Sequence, residues 1–483
     1  MNVNDSFSHE LGGDTLSEYI YSNVKKKTKG DYFPSLNSED LIGQGGGGNV
    51  EEEEVIPNNV IKYYASEILP ETTNNYTSGL HTNAFNTTIT SHTFEDGVGI
   101  IEFEEDLTSV GDYAFYNSTG LTSIIIPDSV TSIGDRVFIS CIRLTSITIP
   151  DSVTSIGVSA FSGCSALTSI TIPSSVTSIG SNAFMNCSGL TSITIPDSVT
   201  SIGQYAFYNC ISLTSITIPS SVTDIDHNVF SGCHLVTLAV PSSVVNIGQG
   251  AFSGVEFENV IFNNINPDAT FERDEENKIL VNKSHDTLIT GFNESTVIVP
   301  NTIHTIGQSA FSGSSALTSI TIPDSVTSIG DGAFSGCSSL TSVTIGNSVT
   351  SMNNGVFSGC SSLTSIIIPD SVTSIGSAFS GCSSLTSVVI GKSVTTIKGG
   401  AFSGCSALTS ITIPDSVTSI EGGAFSNCTS LTSITSLATT ASSVQNGAFA
   451  NCGTNGTLKV PTGSTGYDAW LPYLPSGWTI VEQ

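Results

Sequence analysis

The sequence predicts a mainly β solenoid of stacked turns about 23 residues long. Three observations predict it. A phenylalanine recurs at that spacing, at Phe115, Phe138, Phe161, Phe184, Phe207, Phe230 and Phe252, and again at Phe311, Phe334, Phe357, Phe379, Phe402, Phe425 and Phe449. Each interval carries a short alternating segment such as Ser146-Ile-Thr-Ile149, the period-2 pattern of a strand buried on one face. All 11 cysteines stand three residues after an anchor phenylalanine. A unit this short buries its apolar face only against copies of itself, so the repeats must stack.

Residues 144–166 serve as the type unit. Ile147 and Ile149 point inward while Ser146 and Thr148 point outward. Pro150 ends the strand, having no N–H for a continuing ladder. Val153 and Ile156 read as a second, shorter buried segment, and Gly157 as a turn at positive φ. Ala160-Phe161 returns the chain to the core, Ser162-Gly163 bends it again, and Cys164 points inward before Leu167 opens the next strand. With strands ~4.8 Å apart, fourteen or more turns make a body on the order of 70 Å long.

This unit resembles the BspA-like leucine-rich repeat family. The residues that carry the resemblance are the Leu-x-x-Ile-x-Ile-Pro strand, the Val-Thr-Ser-Ile-Gly step and the Ala-Phe-x-x-Cys turn, over residues 94–461. Residues 92–115 look like the family's first turn, and residues 457–480, with Trp470 and Trp478, like its terminal cap. The resemblance implies a right-handed leucine-rich-repeat solenoid with end caps, serving cell adhesion or protein binding.

Organisation along the chain follows the rhythm. Residues 1–55, with Gly45–Gly48 and Glu51–Glu54, are expected to be a disordered acidic and glycine-rich tail. Residues 56–93 form an N-terminal cap, 94–254 a first repeat array, 301–452 a second, and 453–483 a C-terminal cap. Residues 255–300 break the period. There Lys278–Val281 and Thr287–Thr290 flank Asn282-Lys-Ser-His-Asp286 and read as a β-hairpin. The arrays share one register of core residues, so a single continuous solenoid is expected.

Composition narrows function. There are 42 acidic and 13 basic residues, a formal charge of −29. That argues against nucleic acid and anionic membrane surfaces, both of which need positive charge. No stretch reaches the ~20 apolar residues of a membrane span, and Met1–Glu10 has neither the basic nor the apolar region of a secretory signal. An intracellular location is the default expectation; the family resemblance implies the cell surface instead. The cysteines (Cys141, Cys164, Cys187, Cys210, Cys233, Cys337, Cys360, Cys382, Cys405, Cys428 and Cys452) should form a buried ladder of free thiols. Parallel side chains are poor disulfide geometry, and no Cys-x-x-Cys pair suggests zinc.

The candidate binding face is the exposed side of the longer strands: Ser146, Thr148, Ser169, Thr171, Ser192, Thr194, Ser215, Thr217, Ser319, Thr321, Ser342, Thr344, Ser410 and Thr412. Ile125, Ile367 and Val389 interrupt it as apolar contact points. The same residues also suit a strand that needs only to stay soluble. The row Asp128, Asp151, Asp197, Asp324, Asp370 and Asp415 is broken by Ser174, Ser220, Ser242 and Asn347, and reads as turn-capping rather than calcium-binding. Asp224, Asp226, His227, Cys233 and His234 share a repeat, but the thiol belongs to the interior and the others to the surface. No nucleophile, base and orienting group stand together, and Gly45–Gly48 lacks the Lys-Ser/Thr of a phosphate loop. The expectation is a non-enzymatic, cofactor-free, monomeric scaffold that binds a protein or glycan. The alternatives are a structural coat component or an ice-binding type of surface protein.

Overall fold

The computed structural model describes residues 56–72 and 78–483, and the expected tail over residues 1–55 lies outside them. Within them the chain winds as a β-solenoid whose turns each contribute three sides. The first side carries the longer strands. Ser169–Thr171, Ser192–Thr194 and Ser215–Thr217 pair in parallel with like residues in register, Ser169 on Ser192 and Thr171 on Thr194. The second carries two-residue strands. Ser109–Val110, Ser132–Ile133, Ser155–Ile156, Ser178–Ile179, Ser201–Ile202, Asp224–Ile225 and Asn246–Ile247 form one seven-stranded sheet.

The third side has no strand, yet its amides are paired. Phe138 N–H donates to Ala160 O and Ser140 N–H to Ser162 O, each at 2.7 Å in the following turn. On the longer-strand side the donation runs backward, as in Thr145 N–H to Thr122 O at 2.9 Å. Positive φ on the third side falls at Ser159 (56°) and Gly163 (76°). Gly157 does not adopt it, which corrects the sequence expectation. A Cβ at Gly157 would lie 2.3 Å from Gly134 O, so glycine is used there for close approach between turns.

The anchor phenylalanines are fully buried and stacked. Phe161 and Phe184 have centroids 5.4 Å apart at 3°, and the column runs unbroken from Phe115 to Phe252. There the spacing fails, and Phe292, outside the repeat register, continues the stack at 6.4 Å. A second column begins at Phe311 and ends at Phe449, against which Trp470 is tilted at 6.0 Å.

Within this one solenoid the core divides into two clusters. Strands Ile279–Asn282 and Thr287–Gly291 form the predicted antiparallel hairpin, and they stand as a wall between the clusters. Leu280 and Ile289 pack into the first cluster, while Ile279, Val281 and Leu288 pack into the second. Side chains alternate across a strand, so burying both faces demands the all-apolar run seen here.

Both ends are covered. Val60–Ala65 lies antiparallel between Leu121–Ile125 and Val98–Phe103, and the latter pairs with Ile89–Glu95, so this cap sheet runs on to Phe103. At the other end the indole N–H of Trp470 donates to Ser442 O (2.9 Å) and that of Trp478 to Gly453 O (2.7 Å). Large aromatics thus cover the last turn with their polar edges satisfied.

All 11 cysteines are free and buried. Each thiol reaches back one turn, as Cys164 Sγ–H does to Phe138 O at 3.1 Å. Burial pushes the Cys141 thiol up to about 12, and those of Cys164, Cys187 and Cys233 well above the ordinary range.

Candidate functional site

All fourteen hydroxyls of the candidate face are exposed, and those on consecutive turns stand opposite one another: Ser319 on Ser342, Thr321 on Thr344. None of the fourteen has a hydrogen-bond partner among the described residues. Hydroxyls at three other repeat positions behave differently. Thr145, Thr191 and Thr341 donate to the carbonyl of the threonine one turn back, at 3.0 to 3.1 Å. Thr154, Thr177 and Thr200 do the same on the second side, and Ser198 donates to Val176 O at 2.7 Å. One set of hydroxyls therefore ties turn to turn, and the other is left to solvent or ligand.

From Ser146 to Thr217 the two exposed columns hold only serine and threonine. In the second array Ile367 (67% exposed) stands opposite Val389 (54%), and just before that array Ile298 (66%) lies in the same column as Thr321. In the first array Ile125 is half-buried beneath the cap strand through its pairing with Lys62, so it is not the open contact point that the sequence suggests.

The aspartate row does not cap its own turns. Asp324 accepts the N–H of Asn347 (2.7 Å) and Asp370 that of Lys392 (2.8 Å), each one turn ahead. In both cases glycine replaces the usual proline just before the donor. A Cβ at Gly346 would lie 2.5 Å from Pro323 O, and one at Gly391 2.2 Å from Pro369 O, so these turns sit close enough for the amide to reach. The residues of the 224–234 repeat are not brought together. Cys233 is buried with its thiol on Phe207 O, while Asp226 bonds the exposed imidazole of its neighbour His227. Among the described residues no group of three or more His, Cys, Asp and Glu side chains converges.

One constellation has no signal in the sequence. Tyr63 lies on the cap strand beside Gly99, and its ring occupies the space that a Cβ at Gly99 would need. The phenol thereby crosses the middle strand to reach the next one over, placing Oη 2.8 Å from His92 Nε2. His92 Nδ1 lies 2.9 Å from Glu71 Oε1. Leu69 N–H donates to Tyr63 Oη at 3.3 Å, so the phenol oxygen is held from two directions. Burial raises the Tyr63 phenol above its ordinary range; the Leu69 N–H opposes this and the Glu71 charge adds to it. Fully buried, that hydroxyl orients the imidazole and offers no nucleophile to solvent.

A family model for the BspA type leucine rich repeat region, six copies long, matches residues 87–212, 177–287, 289–409 and 365–469. Among solved structures the chain is similar to a leucine rich cell surface protein from Faecalibacterium prausnitzii A2-165, with 35% identity over 72% of this chain and 86% of that one, at a TM-score of 0.49. It is also similar to a leucine-rich repeat protein from Eubacterium ventriosum ATCC 27560 (26% identity, 63% and 90% covered, TM-score 0.45). A leucine-rich repeat protein from Bacteroides ovatus ATCC 8483 matches at 26% identity, with 89% and 100% covered and a TM-score of 0.34. No curated protein matches.

Proposed function

The chain belongs to the BspA-type leucine-rich repeat family, and on that premise we propose that it is a non-enzymatic scaffold whose serine–threonine face binds a protein or glycan in an adhesive or interaction role. The observation that carries this reading is the division among the hydroxyls. Many of those elsewhere, Thr145, Thr154 and Ser198 among them, bond the preceding turn, whereas the fourteen on the face keep both donor and acceptor capacity. Rows spaced by the strand separation, ~4.8 Å, offer a repeating hydrogen-bond template. The exposed pair Ile367 and Val389 adds a small apolar anchor within it. A charge of −29 argues against nucleic acid as the partner.

The test uses the full chain against arrayed extracellular-matrix proteins and neutral glycans, beside the variant Thr171→Lys/Thr194→Lys/Thr217→Lys. Retention of at least one ligand by the parent and its loss in the variant is expected. Equal retention by both would remove the face from consideration.

A further inference from the structure

The described residues hold a second feature fitted for a ligand, away from the repeat face. A cleft of ≈ 710 Å³ opens in the N-terminal cap, lined by Glu71, Thr82, Asn83, Thr88, Ser91 and His92, with Phe85 as its apolar wall. Its volume falls within the ~300–1,000 Å³ of small-molecule sites. We propose that this cleft binds the ring of a neutral sugar, with the Glu71 carboxylate as principal acceptor.

Glu71 is held in place by its neighbours. Its carboxylate is half exposed (51%), while the imidazole that fixes one of its oxygens is only 4% exposed. His92 is itself clamped from behind by the buried Tyr63, so two side chains set the direction of a third. Oε1 is occupied by His92, and Oε2 makes no bond within the described residues, leaving it to accept a ligand hydroxyl. The hydroxyls of Thr82, Thr88 and Ser91 and the amide of Asn83 likewise have no partners there. The cleft thus presents one anchored carboxylate, three hydroxyls and one amide, a mixture of donors and acceptors that a polyol can satisfy together. Phe85 is packed 4.9 Å from Phe103, so the apolar wall is rigid.

Charge selects among ligands. Anionic sugars meet the Glu71 carboxylate on a chain of charge −29. An ammonium group would find a single carboxylate whose other oxygen His92 already holds. A neutral ring bearing adjacent hydroxyls fits both constraints. Tyr63 and His92 are positioning residues in this scheme, and Glu71, Asn83 and Ser91 touch the ligand.

The test is saturation-transfer NMR on the full chain with the methyl glycosides of glucose, galactose, mannose and N-acetylglucosamine, and with butylamine as the amine probe. At least one glycoside is expected to receive saturation and to shift the His92 ring signals, assigned from a His92→Asn variant. Glu71→Gln should weaken that glycoside about tenfold, the loss of one charge-assisted hydrogen bond. Asn83→Ala should weaken it too, with the melting temperature unchanged because the residue is exposed. The Thr171→Lys/Thr194→Lys/Thr217→Lys variant should bind the glycoside as the parent does, which separates this site from the repeat face. No saturation of any glycoside, binding indifferent to both Glu71→Gln and Asn83→Ala, or a preference for butylamine would each overturn the proposal.

Discussion

Raising the pH should destabilise this solenoid through its cysteines. Eight thiols, of Cys141, Cys164, Cys187, Cys233, Cys360, Cys382, Cys405 and Cys428, are held above the reference value of 9.0. Burial is the leading cause for most of them; for Cys360 and Cys428 the hydrogen bond to a neighbouring thiol leads and burial follows. A raised folded value means that the folded state keeps its protons where the unfolded chain releases them. The stabilisation is complete below pH 9 and is lost as pH climbs toward the folded values, about 12 for Cys141. Each such thiol loses about 1.4 kcal/mol per pH unit in that window. At pH 10 eight of them lose about 11 kcal/mol together, which is the stability of an ordinary domain. With an unfolding entropy of about 2.1 cal/mol/K per residue over about 430 residues, the melting temperature should fall about 12 °C. The assay is thermal melting by circular dichroism at pH 8 and pH 10 in a phosphine reductant. A variant with Cys164, Cys187, Cys360 and Cys382 changed to alanine should show about half the drop. A fall of under about 3 °C in the parent, or an equal fall in both proteins, would refute the thiol ladder as the cause.

Other expectations follow from the same packing. Phe184→Ala opens a cavity between two parallel rings, each about 5.4 Å away, and should cost about 3–5 kcal/mol in urea unfolding. Gly157→Ala brings a Cβ to 2.3 Å from Gly134 O, and should destabilise by several kcal/mol despite alanine's better backbone propensity, checked by the same titration. Trp470→Phe keeps an aromatic ring but removes the bond to Ser442 O; a cost of about 1–3 kcal/mol should appear as faster hydrogen exchange in the last turns only. Thr177→Val should cost about 1 kcal/mol, because its hydroxyl bonds the preceding turn, whereas Thr171→Val should stay within about 0.5 kcal/mol.

What the sequence reveals and what it hides divide along periodicity. Phe161, Ile147 and Cys164 are legible because each recurs at a fixed spacing whose physical meaning does not depend on neighbours. The role of Gly157 is not, since a glycine needed for positive φ and one needed for close approach look alike until the preceding turn is in place. Asp324 bonds an amide 23 residues ahead for the same reason, and no local turn pattern points to Asn347. Phe292 takes an anchor's place from outside the register because the 279–291 hairpin displaces the repeat. The Tyr63–His92–Glu71 chain lies wholly in the non-repeating cap, where Tyr63 and His92, 29 positions apart, meet only through antiparallel pairing with a shared strand. Most consequential for function, the sequence places the face hydroxyls but cannot separate them from Thr154 or Ser198, whose bonding appears only when the turns stack.

The most direct measurement is site-specific photocrosslinking from the two strand sides of one turn. A benzophenone side chain would replace Ser192 on the hydroxyl face or Ser201 on the second side, both exposed in the full chain. A ligand identified by the array should be captured from position 192 and not from 201. Equal capture from both, or capture from 201 alone, would contradict the assignment of that face as the binding surface.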